Sequence, residues 1–322
     1  MIQSILVPLD GSRFAERALP TAVALAQRTG ARLLLTRVHV PLPFEAFPAS
    51  HGAMEADIHF ADGAYMQEWV QRLASRRIQA EGVVLCGSVP FALRMAARTC
   101  ADPVVVMASH RRRPAARALY GSTADSLIRR SGTPVLLVGD TARTGAAIRR
   151  VLVPLDGSSA AERVALPAFD VAGPVEYVLV HVRHHRPEES GITPPVDAAV
   201  HASIRRIRPL LDGLGAHTTV RLGRGRVAET IASIARPGDL VAMTTRHGTV
   251  GSLLFGSTAD QVMRAAPDVA ALIFQPGGRR NSAAWGLPAA RTRRPPDYAK
   301  TNGWRTVPAG AVRGSGWGRT EP

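Results

Sequence analysis

Short apolar runs alternate with segments of helical spacing along the first 140 residues, which is typical of alternating strands and helices. The apolar runs predict five strands, at Gln3–Leu9, Arg32–Val40, Val83–Cys86, Pro103–Met107 and Pro134–Val138. Residues between them repeat at helical spacing and predict helices at Ala15–Ala26, Asp62–Glu81, Pro90–Thr99 and Ser122–Arg130. Because proline lacks an amide proton, we expect a bend at Pro20 in the first of these helices.

The same order of elements returns in the second half of the chain. Strands are predicted near Arg150–Leu155, Val175–Val182, Thr218–Leu222, Leu240–Thr244 and Ala270–Phe274, with helices near Ala160–Ala172, Asp197–Leu214, Val227–Ala235 and Ser257–Ala265. The strands are short, rich in β-branched residues and apolar on both faces. This pattern is typical of a parallel sheet that is covered by helices on both sides.

Two phrases occur twice in the same order, which indicates an internal duplication. ILVPLDGS at Ile5–Ser12 returns as VLVPLDGS at Val151–Ser158, and GSTAD at Gly121–Asp125 returns at Gly256–Asp260. We therefore predict two tandem α/β open-sheet domains, each a five-stranded parallel sheet with helices on both faces. They span residues 1–139 and 148–276, are joined by a linker at 140–147, and are followed by a disordered basic tail at 277–322.

The net charge of +15 raises the question of nucleic-acid binding, but its distribution argues against it. The tail holds nine basic and two acidic residues, a net charge of +7 within 46 residues. A solvated surface with a basic tail accounts for this charge, so nucleic-acid binding is not expected. No signal peptide and no apolar run long enough to span a membrane are visible, and we expect a soluble, cytoplasmic protein.

The repeated phrases also carry the candidate chemistry. Asp10 and Asp156 follow the first strand of each repeat, at the sheet edge where open parallel sheets bind ligands. Each Gly-Ser pair (Gly121-Ser122 and Gly256-Ser257) opens a helix, whose free amide groups favour a phosphate. A carboxylate at one end and a helix start at the other suit a nucleotide. Asp-Gly is also a common turn and Ser-x-x-Asp a common helix cap, so a purely structural role stays open.

The ordered set VPLDGS, ADPVVVMASH, GSTAD and PVLLV resembles the universal stress protein family, and the resemblance covers both repeats. It implies a stress-response regulatory protein whose possible cofactor is ATP, with no metal beyond the Mg²⁺ that accompanies a nucleotide. Carried over from the family, the adenine contacts are Asp10 and Val38 in the first repeat and Asp156 and Val182 in the second. Because members of the family often pair through their fifth strands, the resemblance also implies a pseudo-dimer within the chain or a homodimer.

The resemblance also implies the motif Gly-x2-Gly-x9-Gly-(Ser/Thr) after the fourth strand, which the ATP-binding branch of the family carries, and this motif is altered in both repeats. Ala108 and Arg111 replace the first two glycines of repeat one, where the following arginines either supply charge to a phosphate or are solvated. In repeat two, Thr245 replaces the first glycine, Gly248 is retained, and Gly256-Ser257 follows after seven residues instead of nine. Repeat two is therefore the better predicted nucleotide site. The alternative is a dimerising interaction module of the same fold that binds no nucleotide.

Other chemistries find less support in the sequence. There is no P-loop motif, and no nucleophile with a base and an orienting group is recognisable. His181, His184 and His185 cluster near a strand end, with His201 as a further possible ligand, but their loose spacing favours surface histidines over a metal site. We therefore expect no enzymatic activity, and weak ATP hydrolysis lacks a candidate base.

Overall fold

The computed structural model describes residues 1–42, 51–109, 121–139, 148–183, 198–245, 257–266, 269–275 and 305–307. Strands lie at Ser4–Pro8 (β1), Arg32–His39 (β2), Ala80–Cys86 (β3), Pro103–Ala108 (β4), Val135–Val138 (β5), Arg150–Pro154 (β6), Glu176–Arg183 (β7), His217–Arg224 (β8), Asp239–Thr244 (β9), Ala270–Phe274 (β10) and Arg305–Val307 (β11). Helices lie at Leu19–Thr29 (α1), His51–Ala74 (α2), Val89–Thr99 (α3), Gly121–Ser131 (α4), Ser159–Glu162 (α5), Ala165–Ala172 (α6), Ala198–Gly213 (α7), Val227–Ile234 (α8) and Ser257–Ala265 (α9).

These strands form one continuous sheet in the order β11-β3-β2-β1-β4-β5-β10-β9-β6-β7-β8. Within each repeat the five strands are parallel. The strand order reverses beside β1 in the first repeat and beside β6 in the second, so each repeat has a switch point at the edge where its first strand ends. The predicted fold class, with two tandem parallel α/β domains, is confirmed.

Apolar side chains fill both faces of the sheet. One core lies on the side of α1, α2, α6 and α7, and the other lies on the side of α3, α4, α8 and α9. Each core contains residues of both repeats. Burial of each large apolar side chain contributes about 1.5–3 kcal/mol, so the two layers supply most of the stabilisation.

The two repeats meet where β5 and β10 pair antiparallel. Leu272 lies opposite Leu136 and Ala271 opposite Leu137, and all four side chains are fully buried. The implied pairing of the fifth strands is therefore observed within the chain. Across the same junction, Nη2 of Arg28 donates to the backbone carbonyls of Asp170, at 2.9 Å, and of Val171.

Three helix predictions were wrong in detail. The helix predicted near Ala160–Ala172 is two helices, α5 and α6. α2 spans His51–Ala74 rather than Asp62–Glu81. Arg77 adopts a positive φ of 60° and the amide of Ile78 donates to the carbonyl of Leu73, which turns the chain into β3. The bend expected at Pro20 is also absent, because a 3-10 turn precedes α1 and the proline occupies the first turn, where no amide donor is needed.

Within the predicted disordered tail, the structure describes only Arg305–Val307, and these residues form a strand rather than disordered chain. β11 pairs antiparallel with β3, with Thr306 opposite Val83. β3 would otherwise end the sheet with unpaired backbone groups, which readily accept an added strand. The linker lies outside the described residues, as does the rest of the tail. In the described part of the chain, no helix combines the length and apolar character that a membrane span needs.

Candidate functional site

The aspartate of each repeated phrase shapes the turn after the first strand. Oδ1 of Asp10 accepts hydrogen bonds from the amide of Ser12 at 2.9 Å and from its hydroxyl at 2.5 Å. Ser12 Oγ in turn accepts from the amide of Ala15 at 3.1 Å. Gly11 has a φ of +84°, which favours glycine at this position. The Asp10 carboxylate therefore has a structural role, because its Oδ1 atom holds the turn together.

The second repeat reproduces this turn. Oδ1 of Asp156 accepts from the amide of Ser158 at 2.9 Å and from its hydroxyl at 2.5 Å. Ser158 Oγ accepts from the amide of Ala161 at 3.3 Å and so caps α5. The duplicated sequence is thus a duplicated local structure.

Asp10 opens onto a cleft of about 460 Å³ at the switch point of repeat one. We call it the Asp10 cleft; it is lined by Asp10, Arg37 and Val38 on the side of β1 and β2, and by Leu93, Ala108 and Thr123 on the side of β4, α3 and α4. Its volume lies in the range of small-molecule sites, about 300–1,000 Å³. Asp10, Val38 and the first turn of α4 are therefore brought together.

The backbone of Gly121 and Ser122 begins α4, and Thr123 of the same turn lines the cleft. The side chain of Ser122 lies outside the described residues, as does Arg111. Ala108, which replaces the first glycine of the family motif, is the last residue of β4 and also lines the cleft. A methyl group thus stands on the side of the cleft nearest α4.

Arg37 was not predicted as a site residue, yet it adjoins Asp10. A Cβ placed on Gly11 would lie 3.0 Å from Nη1 of Arg37, so the guanidinium packs against the turn. Partial burial raises the pKa of Asp10, but the hydrogen bonds from Ser12 and the charge of Arg37 outweigh it, and the pKa lies below its ordinary value. Asp10 is consequently ionised at neutral pH.

A buried polar network, which we call the Arg37 network, holds this guanidinium in place. Nε of Arg37 donates to Oδ1 of Asp62 on α2. Oδ2 of Asp62 lies 3.3 Å from Nδ1 of His39, and Nε2 of His39 lies 2.9 Å from Oε1 of Glu55. Asp62 is 4% exposed. Cζ of Arg37 lies 5.6 Å from the ring centroid of Tyr65. The sequence signal was a group of polar residues, Thr36, Arg37 and His39, at the end of a mostly apolar strand.

The corresponding turn of repeat two has different neighbours. A Cβ on Gly157 would lie 2.8 Å from Cβ of Ala199, so the start of α7 packs where Arg37 lies in repeat one. His181 occupies the position of Arg37, and its Nδ1 lies 3.0 Å from the carbonyl oxygen of Leu155. Val182 is buried on β7. The two sites are therefore not equivalent.

The glycines that favoured repeat two, Gly248 and Gly256, lie outside the described residues, as do His184 and His185. Ser257 begins α9, but its side chain is not described. The preference for repeat two stays a prediction. His201 lies exposed on α7, and among the described residues no three His, Cys, Asp or Glu side chains are grouped as a metal site requires.

Comparison with known proteins agrees with this fold. The family model described as the universal stress protein family matches residues 1–139 and again 147–271. No curated protein matches the chain significantly.

The solved structures that are similar over most of the chain include the following two. A universal stress protein from Archaeoglobus fulgidus DSM 4304 is 20% identical with a TM-score of 0.63, over 85% of this chain and 96% of that one. A putative universal stress protein from Pseudomonas aeruginosa UCBPP-PA14 is 15% identical with a TM-score of 0.55, over 85% and 94%. At such identities the likeness shows the fold, and the family match carries the assignment. The two matched ranges together cover most of the chain. The chain therefore belongs to the universal stress protein family and contains two copies of its domain.

Proposed function

We propose that the chain is a cytoplasmic stress-response protein that binds ATP or another adenine nucleotide in the Asp10 cleft. The supporting observation is that an ionised carboxylate and the first turn of a helix line one cleft at the switch point of a parallel sheet. The volume of the cleft is adequate for a nucleotide. We propose that the protein acts by binding, and that occupancy of the cleft is its signal.

Each wall of the cleft suits one part of the ligand. The second oxygen of Asp10 accepts from the adenine amino group, and backbone at Val38 contacts the ring. The amide groups at the start of α4 favour the phosphates, because they carry the positive end of the helix dipole. Mg²⁺ would arrive with the nucleotide and neutralise phosphate charge.

Ala108 limits the affinity that this cleft reaches. Its methyl group stands where a glycine would let backbone approach a phosphate closely. Repeat two has Thr245 at the position of Ala108 but retains Gly248 where repeat one has Arg111. A second nucleotide site at Asp156 therefore belongs to the proposal.

The test is calorimetric titration of ATP-Mg into the wild type, Asp10→Asn, Asp156→Asn and the double variant. Asparagine keeps an oxygen for the Ser12 hydrogen bonds but replaces the other oxygen with an amino group, which opposes the adenine amino group. We expect Asp10→Asn to weaken binding at the cleft at least tenfold. Asp57→Asn, on the exposed side of α2, is the matched control.

Equal titrations for the wild type and both single variants would refute the proposal. Unchanged binding in Asp10→Asn with loss in Asp156→Asn would move the site to repeat two. Thermal melting of each variant separates a lost contact from a lost fold.

A second candidate is an interaction module that binds no nucleotide. The fully buried β5–β10 pairing favours it, since this contact does not need a ligand. Mass spectrometry of the purified protein discriminates the two candidates, because a co-purifying adenine nucleotide excludes the second.

A further inference from the structure

The two ends of the sheet differ in whether a further strand covers them. At one end, β3 is covered by β11. At the other end, β8 pairs with β7 over eight residues, His217–Arg224, and no described strand lies on its outer side. A terminal strand presents alternate N–H and C=O groups outward, so β8 offers a row of hydrogen-bonding groups to an added strand. We call this row the β8 edge.

The side chains along the β8 edge form an apolar strip on one face. Val220 is 38% exposed and Leu222 is 58% exposed, although both lie in the middle of a strand. By register they lie beside Leu179 and His181 of β7, on the face that α7 covers. Leu210, near the end of α7, and Leu214, which directly follows α7, are also exposed. Large apolar side chains that are exposed in the middle of a terminal strand indicate a contact surface.

The charge of the β8 edge selects the kind of strand that fits. Arg221 and Arg224 are exposed, β8 contains no acidic residue, and Arg183 lies opposite Arg224 on β7. β3, which accepts a strand from the chain's own tail, carries Glu81, whose carboxylate pairs with Arg32 of β2. The β8 edge therefore has a positive charge that repels the chain's own basic tail and attracts an acidic segment.

We propose that the β8 edge is a docking site for an extended acidic segment of a partner protein, which adds to the sheet as a further strand. Main-chain hydrogen bonds to β8 provide affinity, while apolar side chains of the segment cover Val220 and Leu222. Its acidic side chains lie on the opposite face, where they pair with Arg221, and Arg224 adds to the positive charge of the edge. A second copy is disfavoured as the occupant, because both its β8 strand and its tail are basic.

The experiment uses the full chain and synthetic ten-residue peptides that alternate valine with glutamate. A lysine-for-glutamate version and a version with a central proline serve as probe controls. Binding is measured by fluorescence anisotropy at several salt concentrations, and hydrogen exchange with mass spectrometry locates the site. We expect the glutamate peptide to bind, to bind more weakly as salt rises, and to slow exchange within His217–Arg224.

The double variant Arg221→Glu/Arg224→Glu should weaken the glutamate peptide at least tenfold and improve the lysine peptide. Arg163→Glu, an exposed arginine at the end of α5, is the matched control and should change neither. Four results would overturn the proposal: absence of binding, equal binding of both charged peptides, protection outside β8, or concentration-dependent protection of β8 without peptide. The last result would make a second copy the occupant.

Discussion

Nε of Arg37 donates to Oδ1 of Asp62, and this ion pair lies behind the Asp10 cleft. The pair joins β2 to α2 and fixes the guanidinium that packs against the Asp10–Gly11 turn. The position of one cleft wall thus depends on a contact between a strand and a helix.

Removing the Asp62 carboxylate should destabilise the fold strongly. In Asp62→Ala, Arg37 is left without its partner in a half-buried position, and His39 loses a contact as well. Loss of one partner of a buried ion pair costs about 3 kcal/mol or more. Urea unfolding measures this loss, and Asp57→Ala on the exposed side of the same helix should change the free energy of unfolding by about 0.5 kcal/mol or less. Equal losses would show that the Arg37 network does not stabilise α2.

The contact between Glu55 and His39 should make stability depend on pH in the acid range. The hydrogen bond from His39 is the main cause that lowers the pKa of Glu55 below its ordinary value of 4.5. A carboxyl group with a lower pKa in the folded state stabilises the fold above the pKa of the unfolded state, and this contribution is lost as the pH falls through the folded-state pKa.

The difference in unfolding free energy between wild type and Glu55→Gln should therefore be present at pH 6 and shrink below about pH 4.5. Chemical denaturation at a series of pH values checks this. Glu68→Gln, on the exposed side of α2, controls for the general effect of acid. A difference that stays constant down to pH 3 would contradict the assignment.

The junction of the two repeats gives a third prediction. Leu136 and Leu272 lie opposite one another and are fully buried, so each change to alanine should cost about 2–5 kcal/mol. Because the two side chains are neighbours, the double variant should depart from additivity by about 0.5 kcal/mol or more. A double-mutant cycle measures the coupling, and strict additivity would argue against the β5–β10 pairing.

The two serines that follow the repeated aspartates should stabilise the fold by similar amounts. Ser12 and Ser158 each join their aspartate to the first amides of the next helical turn. Ser12→Ala and Ser158→Ala should each cost about 1 kcal/mol, as loss of a helix cap does. Denaturant midpoints of both variants check this, and an effect in one repeat alone would show that the two turns differ in solution.

Much of the fold was predictable because its signals are local. Runs such as PVVVM and PVLLV mark buried strands, and the repeated phrases mark the duplication. The Arg37 network was not predictable, since Arg37 and Asp62 meet only through the packing of α2 on β2. The bend predicted at Pro20 was wrong for a similar reason. Whether a proline bends a helix or lies in its first turn depends on where the preceding turn ends. Gly157 and Gly11 have the same sequence context, yet the start of α7 gives one of them a different neighbour.

Photoaffinity labelling with 8-azido-ATP tests nucleotide binding in the Asp10 cleft most directly. Tryptic peptides 1–13 and 38–72 contain Asp10 and Val38, while peptides 151–163 and 164–183 contain Asp156 and Val182. We predict labelling of the first two peptides that excess ATP suppresses and that Asp10→Asn reduces at least tenfold. Labelling confined to other peptides, or labelling that ATP does not suppress, would contradict the assignment of the Asp10 cleft.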